Sequence, residues 1–164
     1  MRIRFGILTL SDRSSRGERA DSSGPALASL IQAEGWSVVK QSLLPDDESA
    51  IRERLIHWTE SGEMDVLLTT GGTGFSPRDV TPEATRAVIE RNAPGLAEAM
   101  RAASLSITPH AMLSRIVTGI RKRTLIINLP GSPKGAVENL EIVIPVLPHA
   151  VQLLRDDPAS ESTH

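Results

Sequence analysis

The sequence predicts an α/β protein built as a three-layer α/β/α sandwich, with a mostly parallel central sheet and one antiparallel hairpin. Apolar runs typical of buried strands alternate with stretches of helical periodicity, and short turns rich in Gly, Pro and Asp separate them. A chain of 164 residues is long enough to bury one hydrophobic core. We therefore expect a single domain over residues 1–155 and a polar, disordered tail over residues 156–164.

Five apolar runs have the length and composition of strands. The predicted strands cover residues 2–10, 37–44, 66–70, 116–120 and 124–129. Only the short basic segment Arg121-Lys122-Arg123 separates the last two strands. Two strands this close in sequence are expected to form an antiparallel hairpin.

Helical apolar stripes fill the intervals between the strands. Pro25 suits the first turn of one helix and Gly35 its end, whereas Thr81 and Pro82 are typical of an N-cap and a first helical residue. A break is expected at Pro145, within the last helical region. The predicted helices cover residues 25–34, 51–58, 81–89, 97–103, 133–144 and 147–154.

The composition excludes several classes of function. Apolar residues make up 40% of the chain but aromatic residues only 2%, so the core must be aliphatic. Because the chain has no cysteine, disulfides, iron–sulfur clusters, thiolate zinc sites and cysteine nucleophiles are excluded. A net charge of −2 argues against nucleic-acid binding, and no apolar run approaches the ~20 residues of a membrane span. The first strand begins almost at Met1, which leaves no room for a signal peptide, and we expect a cytoplasmic protein.

Four unusual segments each follow a predicted strand directly. In parallel α/β sheets ligands bind beyond the carboxyl ends of the strands, so these segments should lie along one edge of the sheet. They are Ser11-Asp12-Arg13, Pro45-Asp46-Asp47, Gly71-Gly72-Thr73-Gly74 and Pro130-Gly131-Ser132-Pro133. The hairpin should bring Ser114 and Arg115 back beside Pro130 as a fifth segment. Four neighbouring strand ends span roughly 15–20 Å, about the footprint of a nucleotide and a small partner.

The run Gly71-Gly72-Thr73-Gly74 is a candidate phosphate-binding turn. Without Cβ atoms, its backbone can direct N–H groups toward an anion. It is not a Walker A loop, because no Gly-Lys-Ser/Thr follows, and Pro77 stands where a dinucleotide fingerprint needs its third glycine. A tight turn without a ligand explains the same residues equally well.

Asp46 and Asp79 are the candidate metal-binding carboxylates. Taken alone, Asp46 or Asp47 would more simply cap the helix that follows, and Asp79 would be a turn residue. Carboxylates beside a phosphate-binding turn would repel the phosphate unless a divalent cation lay between them. Mg²⁺ commonly takes one or two carboxylates together with phosphate oxygens, so these two aspartates favour a magnesium site.

Basic and hydroxyl side chains near the same segments complete the candidate site. Arg13, Arg78 and Arg115 are suited to bidentate phosphate binding and Lys134 to a point contact, although each would more often be a solvated charge. The histidines share no metal-binding spacing. The serines of these segments are better suited to hydrogen bonding or capping than to nucleophilic attack; they are Ser11, Ser114 and Ser132.

Taken together, the segments resemble the molybdopterin adenylyltransferases, the family of the Mog-type enzymes and the gephyrin G domains. The central match is the run LTTGGTGFSPRDVTPEAT at residues 68–85. Shorter matches extend the resemblance over the chain to about Leu154; they are residues 9–13, 44–46, 94–95, 111–115 and 127–133.

The resemblance implies a reaction and roles for the candidate residues. The terminal phosphate of molybdopterin attacks the α-phosphate of Mg-ATP, pyrophosphate leaves, and adenylyl-molybdopterin forms. The two aspartates essential in the family correspond to Asp46 and Asp79. The Gly-Gly-Thr-Gly turn and the segment Pro130-Gly131-Ser132 resemble nucleotide contacts. The residues that resemble the substrate-binding border of the pocket are Ser11, Asp12, Arg13, Arg78, Ser114 and Arg115.

The resemblance also implies assembly and partners. The family forms trimers, and the run 142–147 is apolar on every side, so we expect a homotrimer. We expect transient contact with a molybdenum-insertion protein. We expect no nucleic-acid partner and no membrane partner. The alternative is a non-catalytic, molybdopterin-binding trimer of the MoaB type, which shares the fold and much of the signature.

Overall fold

The structure is a computed structural model and describes residues 1–156. In this range the strands are β1 (Arg4–Leu10), β2 (Ser37–Leu44), β3 (Val66–Thr70), β4 (Arg91–Asn92), β5 (Thr118–Arg121) and β6 (Thr124–Leu129). The α-helices are α1 (Asp12–Ser15), α2 (Ser23–Ala33), α3 (Glu48–Glu60), α4 (Thr81–Val88), α5 (Pro94–Leu105), α6 (Pro133–Val143) and α7 (Leu147–Arg155). Two 3₁₀-helical turns are Pro109–Leu113 and Ile144–Val146.

The strands form one sheet in the order β2-β1-β3-β6-β5-β4. Strands β2, β1, β3 and β6 are parallel, whereas β5 runs antiparallel to both β6 and β4. The predicted α/β class, the mostly parallel sheet and the β5–β6 hairpin are therefore confirmed. Parallel pairing brings the carboxyl ends of four neighbouring strands to one edge.

Helices cover both faces of the sheet because side chains alternate along each strand. On β1, Phe5 and Ile7 pack with α2, α5, α6 and α7, whereas Leu8 and Leu10 pack with α3 and α4. On β6, Ile126 lies on the α3–α4 face and its neighbours on the other. These two cores give the three layers that the sequence predicts. Their side chains are mainly aliphatic, as expected, but Phe5 belongs to one core and Trp58 to the other.

The start of α4 differs from the prediction. Thr81 is not the N-cap; Val80 precedes the helix, which ends at Val88 and not at Ile89. Thr81 is buried because it closes the preceding loop: its N–H donates to the carbonyl of Gly72 at 3.1 Å and its hydroxyl to that of Gly71 at 2.9 Å.

Smaller differences have local causes. The predicted loop after β1 contains the single turn α1, capped by the Ser11 hydroxyl, which accepts from the N–H of Ser14. Strand β5 begins at Thr118, two residues later than predicted, because the N–H of Val117 is bound by the side chain of Asn128. The exposed two-residue strand β4 was not predicted, since it has no alternating pattern.

The C-terminal helices form one long apolar stretch. Residues 133–155 are the one helical stretch in 1–156 long and apolar enough to cross a membrane by length and composition, which the sequence analysis did not expect. The break predicted at Pro145 is present as a 3₁₀ turn between α6 and α7. The inward stripe of this stretch is buried in the core; it is Ala136, Leu140, Val143, Leu147 and Val151. Asp156 ends α7, and the rest of the predicted tail, 157–164, lies outside the described residues.

Candidate active site

A cavity of about 570 Å³ opens at the carboxyl edge of the sheet. All four segments predicted to meet there contribute to its wall. The predicted site residues on this wall are Ser11, Asp12, Arg13, Asp46, Gly71, Gly72, Arg78, Asp79, Gly131 and Ser132. Their meeting follows directly from the strand order, since β2, β1, β3 and β6 end side by side.

Asp46 lines the cavity, and one of its carboxylate oxygens has no hydrogen-bond partner in the protein. Its Oδ2 accepts a hydrogen bond from the N–H of Asp12 at 3.1 Å, whereas its Oδ1 is buried and has no hydrogen-bond partner. Burial raises the pKa of the Asp46 carboxyl above its ordinary value, and the nearby charges of Asp12 and Asp79 raise it further. Asp47, not Asp46, caps α3, because its Oδ1 accepts from the N–H of Ala50 at 3.0 Å.

Gly72 allows Asp46 to sit this close to the glycine-rich loop. Its φ of 67° is in the left-handed region, and a Cβ there would lie 2.9 Å from the Asp46 Oδ1 and clash with the Thr81 hydroxyl. A side chain at this position would therefore be strained and would also press on the unpartnered oxygen. This geometry is that of a tight turn, which is one of the two interpretations that the sequence allows for this run.

Asp79 is both a turn residue and part of the cavity wall. Its Oδ2 accepts from the N–H of Ser76 at 3.0 Å, and its own N–H donates to the Ser76 carbonyl at 2.9 Å. These bonds fix the short exposed loop that carries Arg78. Asp79 therefore shapes the turn and lines the cavity at the same time.

Arg78 crosses the mouth of the cavity to Asp12. Its Nε and Nη2 donate to the two carboxylate oxygens of Asp12, both at 2.9 Å. The Arg78 side chain is 65% exposed, whereas that of Asp12 is 20% exposed. The Arg78 hydrogen bonds lower the pKa of the Asp12 carboxyl. A guanidinium on an exposed loop can exchange this carboxylate for a phosphate of similar geometry.

Arg115 is a predicted phosphate ligand that lies outside this cavity. It forms an ion pair with Glu83 of α4 at 2.7 Å, and its hydrogen bonds lower the pKa of that carboxyl. Its Nε donates to the carbonyl of Gly74 in the glycine-rich turn, and its Nη2 donates to the carbonyl of Asp79. The structure therefore brings Arg115 behind the loop, not to its cavity face.

A second cavity of about 290 Å³ lies on the other side of the glycine-rich turn. Its wall includes the remaining predicted residues Thr73, Gly74, Ser114 and Pro130, and it shares Ser132 with the first cavity. The Ser114 hydroxyl oxygen is buried there without a hydrogen-bond partner. The turn thus separates two concave surfaces, which the sequence did not predict.

Sequence reasoning missed Asp21, which also lines the first cavity. It accepts hydrogen bonds from the Thr9 hydroxyl at 2.9 Å and from the N–H of Gly24 at 3.1 Å. The available signal was an aspartate four residues before a predicted helix, close enough for its carboxylate to accept from free N–H groups at the helix start. Asp21 fixes the loop after β1 to the start of α2.

Two carboxylates of the cavity wall could hold a divalent metal ion. Within residues 1–156, no group of three or more His, Cys, Asp or Glu side chains is arranged to hold a metal ion. Asp46 and Asp79 nevertheless line the same cavity, and the buried, unpartnered oxygen of Asp46 is a suitable ligand for a hard cation. Two carboxylates with phosphate oxygens and water are a typical Mg²⁺ environment, so these residues fit Mg²⁺ bound together with a phosphate substrate.

Comparison with known proteins identifies the family. The sequence profile described as a probable molybdopterin binding domain matches residues 6–149. The chain belongs to this family. Gephyrin of Dictyostelium discoideum is 44% identical over 94% of the chain, and a molybdopterin adenylyltransferase of Helicobacter pylori strain J99 is 41% identical over 93% of the chain and 88% of its own length. The chain spans only 23% of that gephyrin.

Solved structures of the molybdopterin-binding family have the same fold. The crystal structure of the molybdopterin biosynthesis enzyme MoaB from Thermus thermophilus superimposes with a TM-score of 0.89. It is 51% identical, and the match covers 95% of this chain and 98% of that one. The carboxyl-edge cavity therefore belongs to a fold that this family shares.

Proposed function

We propose that this chain is a molybdopterin adenylyltransferase, which transfers AMP from Mg-ATP to the terminal phosphate of molybdopterin. A phosphate oxygen of molybdopterin forms a bond to the α-phosphorus of ATP, the bond from that phosphorus to the bridging oxygen breaks, and pyrophosphate leaves with the electron pair. The close similarity over almost the whole length of a bacterial molybdopterin adenylyltransferase supports this proposal.

One observation in the site carries the proposal: Asp46 lines the cavity, and its carboxylate Oδ1 is buried without a hydrogen-bond partner in the protein. Burying a carboxylate oxygen without a partner is costly, and four carboxylates line this cavity: Asp12, Asp21, Asp46 and Asp79. Asp21 accepts hydrogen bonds from the Thr9 hydroxyl and the N–H of Gly24. The ion pair with Arg78 balances the negative charge of Asp12. The charge remaining on Asp46 and Asp79 is what a phosphate-bound divalent cation would neutralise.

The residues of the cavity have complementary roles in this reaction. Both reactants are anionic, so bringing their phosphates together is the main electrostatic obstacle. In the proposal, Asp46 and Asp79 hold Mg²⁺, which supplies charge neutralisation at the phosphate oxygens. The triphosphate lies against Gly71 and Gly72, whose backbone is free of Cβ atoms, and Arg78 orients it. Both aspartates line the larger cavity, which is why we assign the triphosphate to that side of the glycine-rich turn.

A direct assay tests the proposal. Purified protein is incubated with molybdopterin, ATP and Mg²⁺, and both pyrophosphate and adenylyl-molybdopterin are quantified. We expect equal amounts of the two products, dependent on Mg²⁺ and on molybdopterin. Binding of molybdopterin without any pyrophosphate release would instead support a non-catalytic MoaB-type function, which the 51% identity with a MoaB protein makes the second candidate. Pyrophosphate release without molybdopterin would indicate a different acceptor.

We also propose that the chain forms a homotrimer and passes its product to a molybdenum-insertion protein by transient contact. Two exposed side chains of the run 142–147 support the homotrimer. Ile142 is 43% exposed and Val146 49% exposed, whereas Val143 and Leu147 are buried in the core. Exposed aliphatic side chains on one helical region are typical of a subunit contact. Light scattering at micromolar concentration should give three times the monomer mass, and a stable monomer would contradict the proposal.

A further inference from the structure

Arg115 makes an unusual set of contacts for a residue beside a phosphate-binding turn. Its backbone N–H donates to the carbonyl of Thr73 at 2.9 Å. Its side-chain Nε donates to the carbonyl of Gly74 at 2.8 Å, and its Nη2 to that of Asp79 at 2.8 Å. One residue therefore holds carbonyl groups at both ends of the exposed loop 74–79.

Glu83 fixes the orientation of this guanidinium. Its two carboxylate oxygens accept from Nη1 at 2.7 Å and from Nη2 at 3.1 Å. Glu83 lies in the first turn of α4, directly after the loop, so the helix is a rigid base for the pair. A planar guanidinium held on one edge by a carboxylate presents its other N–H groups in fixed directions.

Apart from Arg115, the bidentate ion pair of its exposed Arg78 with Asp12 attaches loop 74–79 to the segment after β1. The exposed residues of the loop include Phe75, which is 67% exposed, and its internal bonds link Ser76 to Asp79. Those bonds shape the turn, but they do not attach it to the rest of the protein. The attachment at both ends comes from Arg115, on the segment that leads from the 3₁₀ turn into β5.

We infer that Arg115 is a positioning residue, which holds the Asp79 carboxylate at the cavity through the loop backbone, and is not a ligand of substrate phosphate. This inference rests on the proposed function, in which Asp79 binds the metal. It predicts that substitutions of Glu83 and of Arg115 change loop exchange and kcat in the same direction, because the ion pair orients the guanidinium. A phosphate-binding Arg115 would require the opposite: Glu83 would compete with the substrate for it.

The test compares Arg115→Lys, Glu83→Gln and the control Arg86→Lys. Lysine keeps the charge but cannot reach two carbonyls and a carboxylate at once. Arg86 lies 3.9 Å from the same Glu83 carboxylate but belongs to the exposed face of α4, so its variant controls for a change beside Glu83. Hydrogen exchange of the 74–79 amides is measured without substrates, and kcat, the KM values and molybdopterin affinity are measured separately.

We expect about tenfold faster exchange of the 74–79 amides in Arg115→Lys, because local opening loses hydrogen bonds that close the loop. The kcat should fall about a hundredfold, since misplacing a reacting group by an ångström has that effect, while molybdopterin affinity stays unchanged. Glu83→Gln should also speed amide exchange and lower the kcat, but by a smaller factor than Arg115→Lys. Arg86→Lys should change neither the exchange nor the kcat.

Two results would overturn the inference. One is unchanged exchange in both Arg115→Lys and Glu83→Gln. The other is tighter ATP binding in Glu83→Gln, which would show that Glu83 keeps Arg115 away from phosphate. If Arg115→Lys does not fold, Glu83→Gln alone decides between these outcomes. If the wild-type protein releases no pyrophosphate, the proposed function fails, whereas the exchange measurement still decides whether Arg115 holds the loop.

Discussion

Asp12 and Asp46 each donate their backbone N–H to the other's carboxylate, at 3.1 and 3.0 Å. The two residues follow β1 and β2, so this reciprocal pair joins the loops after two adjacent parallel strands. It also brings two negative charges together at the cavity edge. The Asp46 carboxylate gains one hydrogen bond from this pair, but its second oxygen stays buried and unpartnered.

The first prediction is that Asp46→Asn abolishes adenylyl transfer. Asparagine keeps an oxygen that can accept from the Asp12 N–H, but it loses the charge that would hold Mg²⁺. We expect turnover to fall by about two orders of magnitude or more. The matched control is Asp47→Asn, which keeps the α3 cap and lies outside the cavity wall. Near wild-type pyrophosphate release by Asp46→Asn would show that the carboxylate has only a local structural role.

The second prediction concerns the stability of the same variant. Burial raises the pKa of Asp46 in the folded state, so its ionised form opposes folding at neutral pH. For a raised pKa, the stabilising contribution is complete below the unfolded value of ~3.9 and is lost as the pH rises through the folded pKa. Metal-free Asp46→Asn should therefore be at least as stable as wild type at pH 7. Urea unfolding that shows the variant clearly less stable at pH 7 would contradict this sign.

The third prediction concerns Arg78. Its bidentate pair with Asp12 is exposed on the arginine side, and such pairs contribute about 0–1 kcal/mol to stability. Arg78→Gln should therefore leave the melting temperature nearly unchanged but raise the KM for ATP, because the triphosphate loses a charged donor. The nearby exposed pair of Arg16 and Glu18 provides the control variant Arg16→Gln. If the two substitutions changed the KM for ATP equally, Arg78 would contribute only as a general surface charge and not as a ligand of the triphosphate.

The fourth prediction concerns Asp65, at the opposite edge of the sheet. Burial by itself raises the pKa of its carboxyl, but hydrogen bonds from Arg155 and Arg4 outweigh this and lower the pKa to about 2. For a lowered pKa, the stability is present above the unfolded value and lost as the pH falls toward the folded one. Asp65→Asn should thus lower the free energy of unfolding at pH 7 by about 2 kcal/mol, and this difference should shrink between pH 4 and 2. A difference that is independent of pH would contradict the ion-pair explanation.

The fold and the location of the cavity could be predicted from the sequence because they depend on patterns within single elements. Apolar runs locate β1, β2, β3 and β6, and parallel pairing then forces the segments after them to meet. The contacts of Arg115 could not be predicted in this way. Its partner Glu83 lies 32 residues earlier, and only the packing of α4 beside the glycine-rich loop decides that the guanidinium points behind the loop.

Backbone direction also limited the prediction at the glycine-rich turn. The run 71–74 was expected to face one ligand as a unit. Positive φ angles at Gly71 and Gly72 instead turn the chain, so that these two residues line the larger cavity while Thr73 and Gly74 line the smaller one. Composition indicates that such angles are possible, but it does not say where the backbone turns.

The last prediction is that Asp79→Asn uncouples molybdopterin binding from catalysis. Asparagine keeps the size of the side chain and one acceptor oxygen, so the hydrogen bond from the Ser76 N–H can persist and the turn should stay folded. What is lost is the negative charge that, with Asp46, would hold Mg²⁺ beside the phosphates. ATP should then bind poorly or in an unproductive pose, whereas molybdopterin, held by backbone amides and basic side chains, should bind almost as before.

The measurement for Asp79→Asn is molybdopterin affinity beside Mg²⁺-dependent pyrophosphate release. Asp21→Asn is a useful comparison, because Asp21 lines the same cavity but binds the Thr9 hydroxyl and a backbone N–H within the protein. We expect Asp79→Asn to lose pyrophosphate release but to keep its affinity for molybdopterin. In Asp21→Asn, any change in affinity or release should come only from displacement of the loop that Asp21 holds. If affinity and release fall together in Asp79→Asn, the residue shapes the pocket and the metal role is wrong. If neither falls, Asp79 is only a turn residue, and the charge that matters in the cavity is that of Asp46.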